Sequence, residues 1–201
     1  MIFHYCFFLK IAYNLGNFKI RHICVFSIKK PMKSKKNIVL IGMMGSGKSS
    51  IGKILSKKLE LDFIDIDEKI EEIEKKNISE IFKKYGESYF RKKEEEISIT
   101  CLKLKNKIIS LGGGGYINSN IRKQSLKSSI PIWLSWKHET LINRIKNSKK
   151  RPLAMKLNLS EIKKLIIERS KIYNSSKYKI NCDKYNKYQI VEKIIKIYEN
   201  I

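Results

Sequence analysis

The chain has 201 residues, 42% of them hydrophobic, which is enough for a single globular domain with a full core. Its 43 basic and 19 acidic residues give a net charge of +24, but the lysines are spread along the chain, so we attribute the charge to composition and expect no specific nucleic-acid partner. The four cysteines lie far apart, which argues against a zinc site or a redox pair and suits a reducing compartment.

Residues 1–31 differ from the rest of the chain. They are rich in aromatic residues, contain no acid and show no clear pattern of helix or strand. We interpret them as an N-terminal extension outside the fold, either because the start is assigned too far upstream or because they form an organellar targeting or membrane-surface segment. No apolar stretch approaches the roughly 20 residues needed to span a membrane. We therefore predict one cytoplasmic domain over residues 32–201, with organellar targeting as the alternative.

The predicted elements alternate between strand and helix. Short apolar or β-branched runs predict strands, and apolar residues at helical spacing predict helices. The predicted strands are 36–41, 63–67, 107–111, 130–134 and 177–181. The predicted helices are 51–59, 68–104 with a break at Gly86, 137–147, 159–174 and 187–199. This alternation predicts an α/β fold of three layers, with a five-stranded parallel sheet and helices on both faces.

A glycine-rich segment, GMMGSGKS at 42–49, follows the first predicted strand. Its spacing, with Gly42 five residues before Gly47 and then Lys48 and Ser49, is that of a phosphate-binding loop. In such loops, backbone N–H groups and the next helix N-terminus bind phosphate, the lysine reaches the β- and γ-phosphates, and the serine holds Mg²⁺. The strand before and the helix after favour this interpretation over an ordinary glycine-rich turn.

The chain has four aspartates, and three of them, Asp62, Asp65 and Asp67, fall within six residues. Asp65 and Asp67 are two positions apart in a predicted strand, so they would project together from its carboxyl end. Ligands of open parallel sheets bind at that end. One acid could serve a metal ion and the other an acceptor hydroxyl. The alternative is an acidic start to the following helix.

Arginine is scarce, with six in a chain where lysine dominates. Where either residue would serve, this chain uses lysine, so a retained arginine indicates a bidentate or planar contact that lysine cannot make. Four consecutive glycines at 112–115 follow the third predicted strand. They could let a ligand approach the backbone closely, or they could form a flexible turn.

Together these segments resemble the shikimate kinase family, in the nucleoside-monophosphate-kinase-like group of P-loop folds. The resemblance covers about residues 33–200. It rests on GMMGSGKSSIGK at 42–53, FIDIDEKIE at 63–71, FRKKE at 90–94, IISLGGGGYI at 108–117, RPL at 151–153 and ERSKIY at 168–173. Many kinases share the phosphate loop, but the DxD, FRxxE, GGG and ERxxxY patterns in this order are specific.

On the nucleotide side, the resemblance implies a P-loop kinase fold that uses ATP and Mg²⁺. The loop residues around the ATP phosphates would be Gly45, Ser46, Gly47, Lys48, Ser49 and Ser50. Ser49 would hold Mg²⁺, and Asp65 would support it through water. Arg151 would come from a mobile lid at about 147–158 and, with Lys48, stabilise charge on the transferring phosphoryl group.

On the acceptor side, the resemblance implies that helices over about 65–104 bind the substrate. Asp67 would hydrogen-bond the reacting hydroxyl and help to remove its proton. Arg91 and Arg169 would clamp the substrate carboxylate, with Glu94 orienting Arg91. The wall of the pocket would be formed by three glycines, Gly112, Gly113 and Gly114.

The activity implied is phosphorylation of the 3-hydroxyl of shikimate, a step in aromatic amino acid biosynthesis, by a monomer. A first alternative is a related small-molecule kinase, such as a gluconate kinase. A second is a basic P-loop nucleic-acid-binding protein, which would leave FRxxE and ERxxxY unexplained.

The chain departs from the family pattern at Leu111, Gly115 and Tyr116, which could change the fit of the pocket. Leu111 stands where the family usually has a small or hydroxyl residue. We interpret Trp133 and Trp136 as packing residues.

Overall fold

The structure is a computed structural model that describes residues 36–146 and 157–201. Five parallel strands form one sheet in the order β2-β3-β1-β4-β5. They are β1 Asn37–Ile41, β2 Asp62–Asp65, β3 Lys107–Ser110, β4 Ser129–Ser135 and β5 Tyr178–Asn181. The predicted parallel sheet is confirmed. The predicted extension at 1–31, and the predicted lid except its last two residues, lie outside the described residues and stay predictions.

The described residues also form seven α-helices and two short 3₁₀ turns. The helices are α1 Lys48–Leu59, α2 Ile66–Glu74, α3 Ile78–Leu102, α4 Ser119–Ser128, α5 His138–Lys146, α6 Leu159–Tyr173 and α7 Lys187–Glu199. The turns are Gly115–Ile117 and Cys182–Lys184. In the part of the chain that the structure describes, no helix combines the length and apolar character required to cross a membrane.

The central strand β1 shows why the fold has three layers. All five of its residues are buried, so both faces of the strand are covered by protein. Ile38 and Leu40 belong to an apolar cluster with residues of α1 and α7. Val39 and Ile41 belong to the opposite cluster, which contains residues of α2 to α6. Because neighbouring side chains of a strand point to opposite faces, the predicted helices on both faces follow directly.

The second strand ends earlier than predicted. We expected a strand over 63–67, but β2 ends at Asp65 and Ile66 begins α2. The Asp65 side chain caps that helix by accepting a hydrogen bond from the Asp67 backbone N–H at 3.1 Å. The two acids therefore do not share one strand face. Asp67 instead lies in the first turn of α2, two residues after the capping residue.

The predicted helical region 68–104 contains two breaks. Gly86 interrupts α3 as predicted, with φ 79° and ψ 174°, a conformation that a side chain would strain. A second break, which we did not predict, separates α2 from α3. There, Asn77 caps α3 and exchanges hydrogen bonds with Glu80 in a capping box. The Asn77-x-x-Glu80 spacing is the sequence signal for this break.

Gly52 lets α1 lie close to β2. A Cβ added at Gly52 would lie 2.2 Å from the Phe63 ring. Overpacking costs about 1–3 kcal/mol, whereas alanine is favoured over glycine in a helix by about 1 kcal/mol. We expect Gly52→Ala to lower the free energy of unfolding by about 1 kcal/mol net, measured by urea denaturation. The exposed Lys57→Ala on the same helix is the control. A Gly52→Ala variant as stable as the unsubstituted chain would show that the ring moves aside without cost.

Candidate active site

A cleft of about 930 Å³ opens at the carboxyl ends of β1, β2 and β3. Its lining includes the phosphate loop after β1, the start of α2 after β2, and the glycine run after β3. Arg91 and Glu94 from α3 and Arg169 from α6 complete the lining. The structure thus brings the sequence-predicted residues of both substrates, apart from Arg151, to one edge of the sheet. Arg151 lies outside the described residues, so its role stays a prediction.

The phosphate loop turns directly into the first helix. Gly47 takes a left-handed conformation with φ 86° and is the N-cap of α1, so the helix begins at Lys48. The Lys48 Nζ donates to the carbonyl oxygens of Gly42 and Met43 at 2.9 and 3.0 Å, which holds the ammonium group against the loop. Backbone N–H groups at the start of a helix favour anions. This geometry suits a polyphosphate chain.

Two oxygen atoms that could bind a metal ion, from Ser49 and Asp65, meet beside the loop. The Ser49 Oγ donates to Asp65 Oδ2 at 2.5 Å, and the Asp65 side chain is buried. Among residues 36–146 and 157–201, no group of three or more His, Cys, Asp or Glu side chains could hold a metal ion. Mg²⁺ usually keeps several water molecules and binds through one or two protein oxygens together with substrate phosphates. The hydroxyl and carboxylate pair fits that mode of binding.

Asp67 also lines the cleft, close to Gly112. A Cβ added at Gly112 would lie 2.6 Å from Asp67 Oδ1 and 2.6 Å from Glu94 Oε1. Gly112 therefore lies against both carboxylates, and a larger residue would displace them. This close approach explains why a glycine follows Leu111 at the end of β3.

Burial and neighbouring charges shift the pKa of Asp67. Burial, followed by the neighbouring charges of Asp65 and Glu94, raises the pKa of Asp67 from 3.8 to about 7. Lys48 and Arg91 oppose the shift by smaller amounts. A carboxylate with a pKa near neutrality is suited to accept a proton from a substrate and release it again.

Arg91 is held by carboxylates on both sides. Its Nη1 donates to Glu94 Oε2 at 2.6 Å, and the Glu94 side chain is only 3% exposed. Its Nε and Nη2 donate to Glu87 Oε1 at 3.2 and 3.1 Å. Burial lowers the pKa of Arg91, but Glu94 and Glu87 outweigh that effect and the pKa is raised. The guanidinium is therefore a fixed positive charge that faces the cleft, with the orientation by Glu94 that we expected.

The glycine run brings the two arginines together. A Cβ added at Gly113 would lie 3.5 Å from Arg169 Nη1, and one added at Gly114 would lie 2.5 Å from Arg91 Nη1. The two guanidinium groups therefore flank consecutive residues of the same backbone. Arg169 Nη1 also donates to the Gly113 carbonyl oxygen at 3.0 Å. Two positive groups so close together suit one carboxylate.

Sequence reasoning missed a supporting tyrosine. The Tyr173 hydroxyl donates to the same Gly113 carbonyl oxygen at 2.5 Å, so α6 fixes the glycine wall at two points. Burial raises the pKa of Tyr173, which keeps its hydroxyl protonated as a donor. The signal was the last residue of the ERSKIY segment, four positions after Arg169 and therefore on the same face of the helix.

Trp136 and Arg144, which both follow β4 in the chain, donate hydrogen bonds to backbone carbonyl groups of the phosphate loop. The Trp136 Nε1 donates to the Ser46 carbonyl oxygen at 3.0 Å. The Arg144 guanidinium stacks 3.6 Å from the centre of the Trp136 ring and donates to the Gly45 carbonyl oxygen at 3.4 Å. Trp136 packs against the core, as we expected, and in addition it holds the phosphate loop, while Trp133 is buried in the core as expected.

The three departures from the family pattern do not line the cleft. Leu111 and Tyr116 are fully buried in the apolar cluster on the α2 to α6 side of the sheet. Gly115 is buried too, and an added Cβ there would lie 3.3 Å from Glu94 Oε1. The bulk of Leu111 and Tyr116 is therefore accommodated by the core and not by the lining of the cleft.

Comparison with known proteins places this geometry in a family. A family model described as shikimate kinase matches residues 44–199. The curated shikimate kinase of Persephonella marina is 44% identical over 161 residues, which cover 80% of this chain and 97% of that protein. The family match runs from the phosphate loop to the end of α7, so it extends far beyond the loop itself.

Solved structures give the same result. Shikimate kinase from Acinetobacter baumannii, solved in complex with shikimate, superposes with a TM-score of 0.77 at 28% identity, over 83% of this chain and 94% of that one. Shikimate kinase from Aquifex aeolicus superposes with a TM-score of 0.72 at 37% identity, over 79% of this chain and 94% of that one. The chain therefore has the P-loop kinase fold and belongs to the shikimate kinase family.

Proposed function

We propose that the chain transfers the γ-phosphoryl group of ATP to the 3-hydroxyl of shikimate. The observation that carries this proposal is the lining of the cleft, which contains Asp67 together with two guanidinium groups that flank Gly113 and Gly114. Shikimate carries one fixed charge, its carboxylate, and several hydroxyls. The two arginines can bind the carboxylate, and the ring then spans the distance to Asp67.

On the nucleotide side, the residues mainly position and neutralise phosphates. Phosphoryl transfer needs in-line placement and charge stabilisation more than covalent chemistry from the protein. The N–H groups of the loop at Gly45 to Ser50 would bind the phosphate oxygens. The Lys48 ammonium, held by the loop carbonyls, would contact the β- and γ-phosphates. Arg151 would add a positive charge from the predicted lid, whose closure would exclude water.

We propose that Ser49 and Asp65 hold Mg²⁺, which when bound supplies neutralising charge for the phosphates. Ser49 would provide its hydroxyl oxygen. Asp65 would accept from that hydroxyl or from metal-bound water while it caps α2. The Asp65 carboxylate thereby contacts both Ser49 and the start of the helix that carries Asp67. It would therefore fix the position of the ATP site relative to the acceptor site.

Asp67 would act on the acceptor hydroxyl. It would accept the 3-hydroxyl proton as the oxygen forms its bond to the γ-phosphorus, while the bond between that phosphorus and the β,γ-bridging oxygen of ATP breaks. The leaving group is ADP. Because nearby acids and burial raise the pKa of Asp67 to about 7, its affinity for the proton is higher than that of an exposed carboxylate.

We also propose that the protein acts as a cytoplasmic monomer without a specific nucleic-acid partner. The absence of a specific nucleic-acid partner is supported by the spread of lysines along the chain and by a cleft that is lined by acids as well as arginines. A polyanion would meet Asp65, Asp67, Glu68 and Glu71 there.

An acceptor panel tests the proposed function. ADP release by the full chain would be measured with Mg-ATP alone and with shikimate, gluconate or nucleoside monophosphates. We expect a rate that depends on shikimate and background rates with the other acceptors. Turnover on gluconate or a nucleotide, with none on shikimate, would reject the acceptor assignment and keep the kinase assignment.

The contact between Trp136 and the phosphate loop predicts a selective effect on ATP. Trp136→Phe removes the indole N–H that donates to Ser46 and keeps an aromatic ring beneath Arg144. We expect the KM for ATP to rise about fivefold, the factor equivalent to the ~1 kcal/mol net value of one hydrogen bond. The KM for shikimate, measured in the same assay, is the internal control and should stay constant. An unchanged KM for ATP would show that the loop keeps its shape without Trp136.

A further inference from the structure

Glu87 binds the edge of the Arg91 guanidinium formed by Nε and Nη2, one of the edges through which a guanidinium can bind a carboxylate. A guanidinium binds a carboxylate most strongly through two parallel N–H donors. Nη1 of Arg91 is engaged by Glu94, and both Nε and Nη2 donate to Glu87 Oε1 at 3.2 and 3.1 Å. Every nitrogen of this guanidinium therefore already contacts an acid of the same helix.

The two acids that contact Arg91 differ in how firmly they are held. The Glu94 side chain is 3% exposed, lies against Gly112 and Gly115, and is 2.6 Å from Arg91. The Glu87 side chain is 59% exposed, and both of its hydrogen bonds to Arg91 are longer than 3 Å. An exposed pair four residues apart on a helix shifts an equilibrium by only about twofold. Glu94 is thus fixed, whereas Glu87 can leave at low cost.

The backbone before Glu87 also permits it to move. Gly86 breaks the helical backbone, and a Cβ added at Gly86 would meet nothing within 4 Å. Glu87 is therefore the first residue after the interruption, next to open space. It can rotate towards solvent without disturbing the buried Phe90 or Glu94 in the following turns.

We propose that Glu87 competes with the substrate carboxylate for Arg91 and so limits the affinity of the acceptor site. This inference rests on the proposed function, because it takes the acceptor to be a carboxylate. Glu87 offsets part of the guanidinium charge in the free site, and it yields to an acceptor that binds both arginines. A ligand whose anionic group does not bind both arginines fails to displace Glu87. Glu87 therefore acts as a specificity-determining residue.

The test replaces Glu87 by an uncharged side chain of the same shape. We expect Glu87→Gln to lower the KM for shikimate about two- to fivefold, given the strength of exposed ion pairs, with kcat and the KM for ATP unchanged. The gain should shrink as salt concentration rises, because exposed charges are screened. Glu96→Gln is the matched control, since Glu96 is 62% exposed on the same helix and pairs with Lys93 instead of Arg91.

A second acceptor separates charge competition from a structural change. The methyl ester of shikimate has no carboxylate charge, so Glu87→Gln should not lower its KM. A shikimate KM that is unchanged or raised in Glu87→Gln would overturn the inference, and so would an equal gain with the ester. Absence of shikimate-dependent turnover in the unsubstituted chain would refute the proposed function and, with it, this inference. Thermal unfolding of each variant checks that the fold is kept.

Discussion

Replacing Asp67 with asparagine is expected to lower kcat for shikimate phosphorylation by about 10²–10⁴-fold, the range for loss of a general base. Asparagine has the same shape and can still bond the acceptor hydroxyl, but it cannot take its proton. Steady-state ADP release measures the effect. Asp62→Asn is the matched control. Asp62 is an exposed aspartate at the start of β2, five residues before Asp67, and its carboxylate pairs with Lys107. A kcat within tenfold of the unsubstituted enzyme would reject the role of Asp67.

The same substitution should have the opposite effect on stability. The pKa of Asp67 is raised from 3.8 to about 7 in the folded chain, so the folded state binds more protons than the unfolded state between these values. Its contribution to stability is therefore lost as pH rises through this window. Asparagine does not ionise, so the stability of Asp67→Asn relative to the unsubstituted chain should increase with pH up to about 7 and then level off. Denaturation without ATP or Mg²⁺ measures this, and a difference that falls with pH would contradict it.

Replacing Arg91 with lysine is expected to raise the KM for shikimate about 10- to 100-fold, which corresponds to the 1.5–3 kcal/mol of hydrogen bonds to a charged group. Lysine keeps the charge but loses the planar, two-donor geometry. It also loses the simultaneous contacts to Glu94 and Glu87 that orient the guanidinium. The KM for ATP should change little, because Arg91 lies on the acceptor side of the cleft.

Arg122→Lys is the matched control for this substitution. Arg122 Nη1 donates to the carbonyl oxygens of Tyr116 and Ile117 at 3.1 and 2.8 Å and does not line the cleft. It should leave the KM for both substrates unchanged. A KM for shikimate that is equally unaffected by Arg91→Lys would remove Arg91 from the carboxylate site.

The scarcity of arginine was a usable signal. Of the six arginines, the structure describes four, and two of them, Arg91 and Arg144, make contacts that suit a planar, multi-donor group. Arg91 and Arg169 lie in the cleft, Arg144 stacks on Trp136, and Arg122 bridges two carbonyl oxygens. In a chain dominated by lysine, the choice of arginine thus carried information about geometry that hydrophobic periodicity does not contain.

The sheet was predictable because each strand is a short apolar run between helices. The boundary of β2 was not, because the strand pattern continues through Ile66 while the Asp65 side chain competes for the backbone by capping α2. A local hydrogen bond ends the strand two residues early and moves Asp67 onto a helix. The acids still meet at the carboxyl end of the sheet, although the reason we gave for it was wrong.

The missed contacts have a common cause. Trp136 bonds to a carbonyl 90 residues earlier in the chain, and Tyr173 bonds to one 60 residues earlier. Neither partner is a side chain, so no pattern of residue types marks the pair. Contacts of this kind depend on how strands and loops are arranged in space, which the spacing of residues along the chain does not encode.

Identifying the product tests the central claim most directly. The full chain would be incubated with Mg-ATP and shikimate, and the product examined by ³¹P and ¹H nuclear magnetic resonance. We predict a single phosphomonoester whose phosphorus couples to the proton on carbon 3 of the ring, formed together with an equal amount of ADP. A phosphate on another hydroxyl, or ADP formed without a phosphate ester of shikimate, would contradict the placement of shikimate between Asp67 and the two arginines.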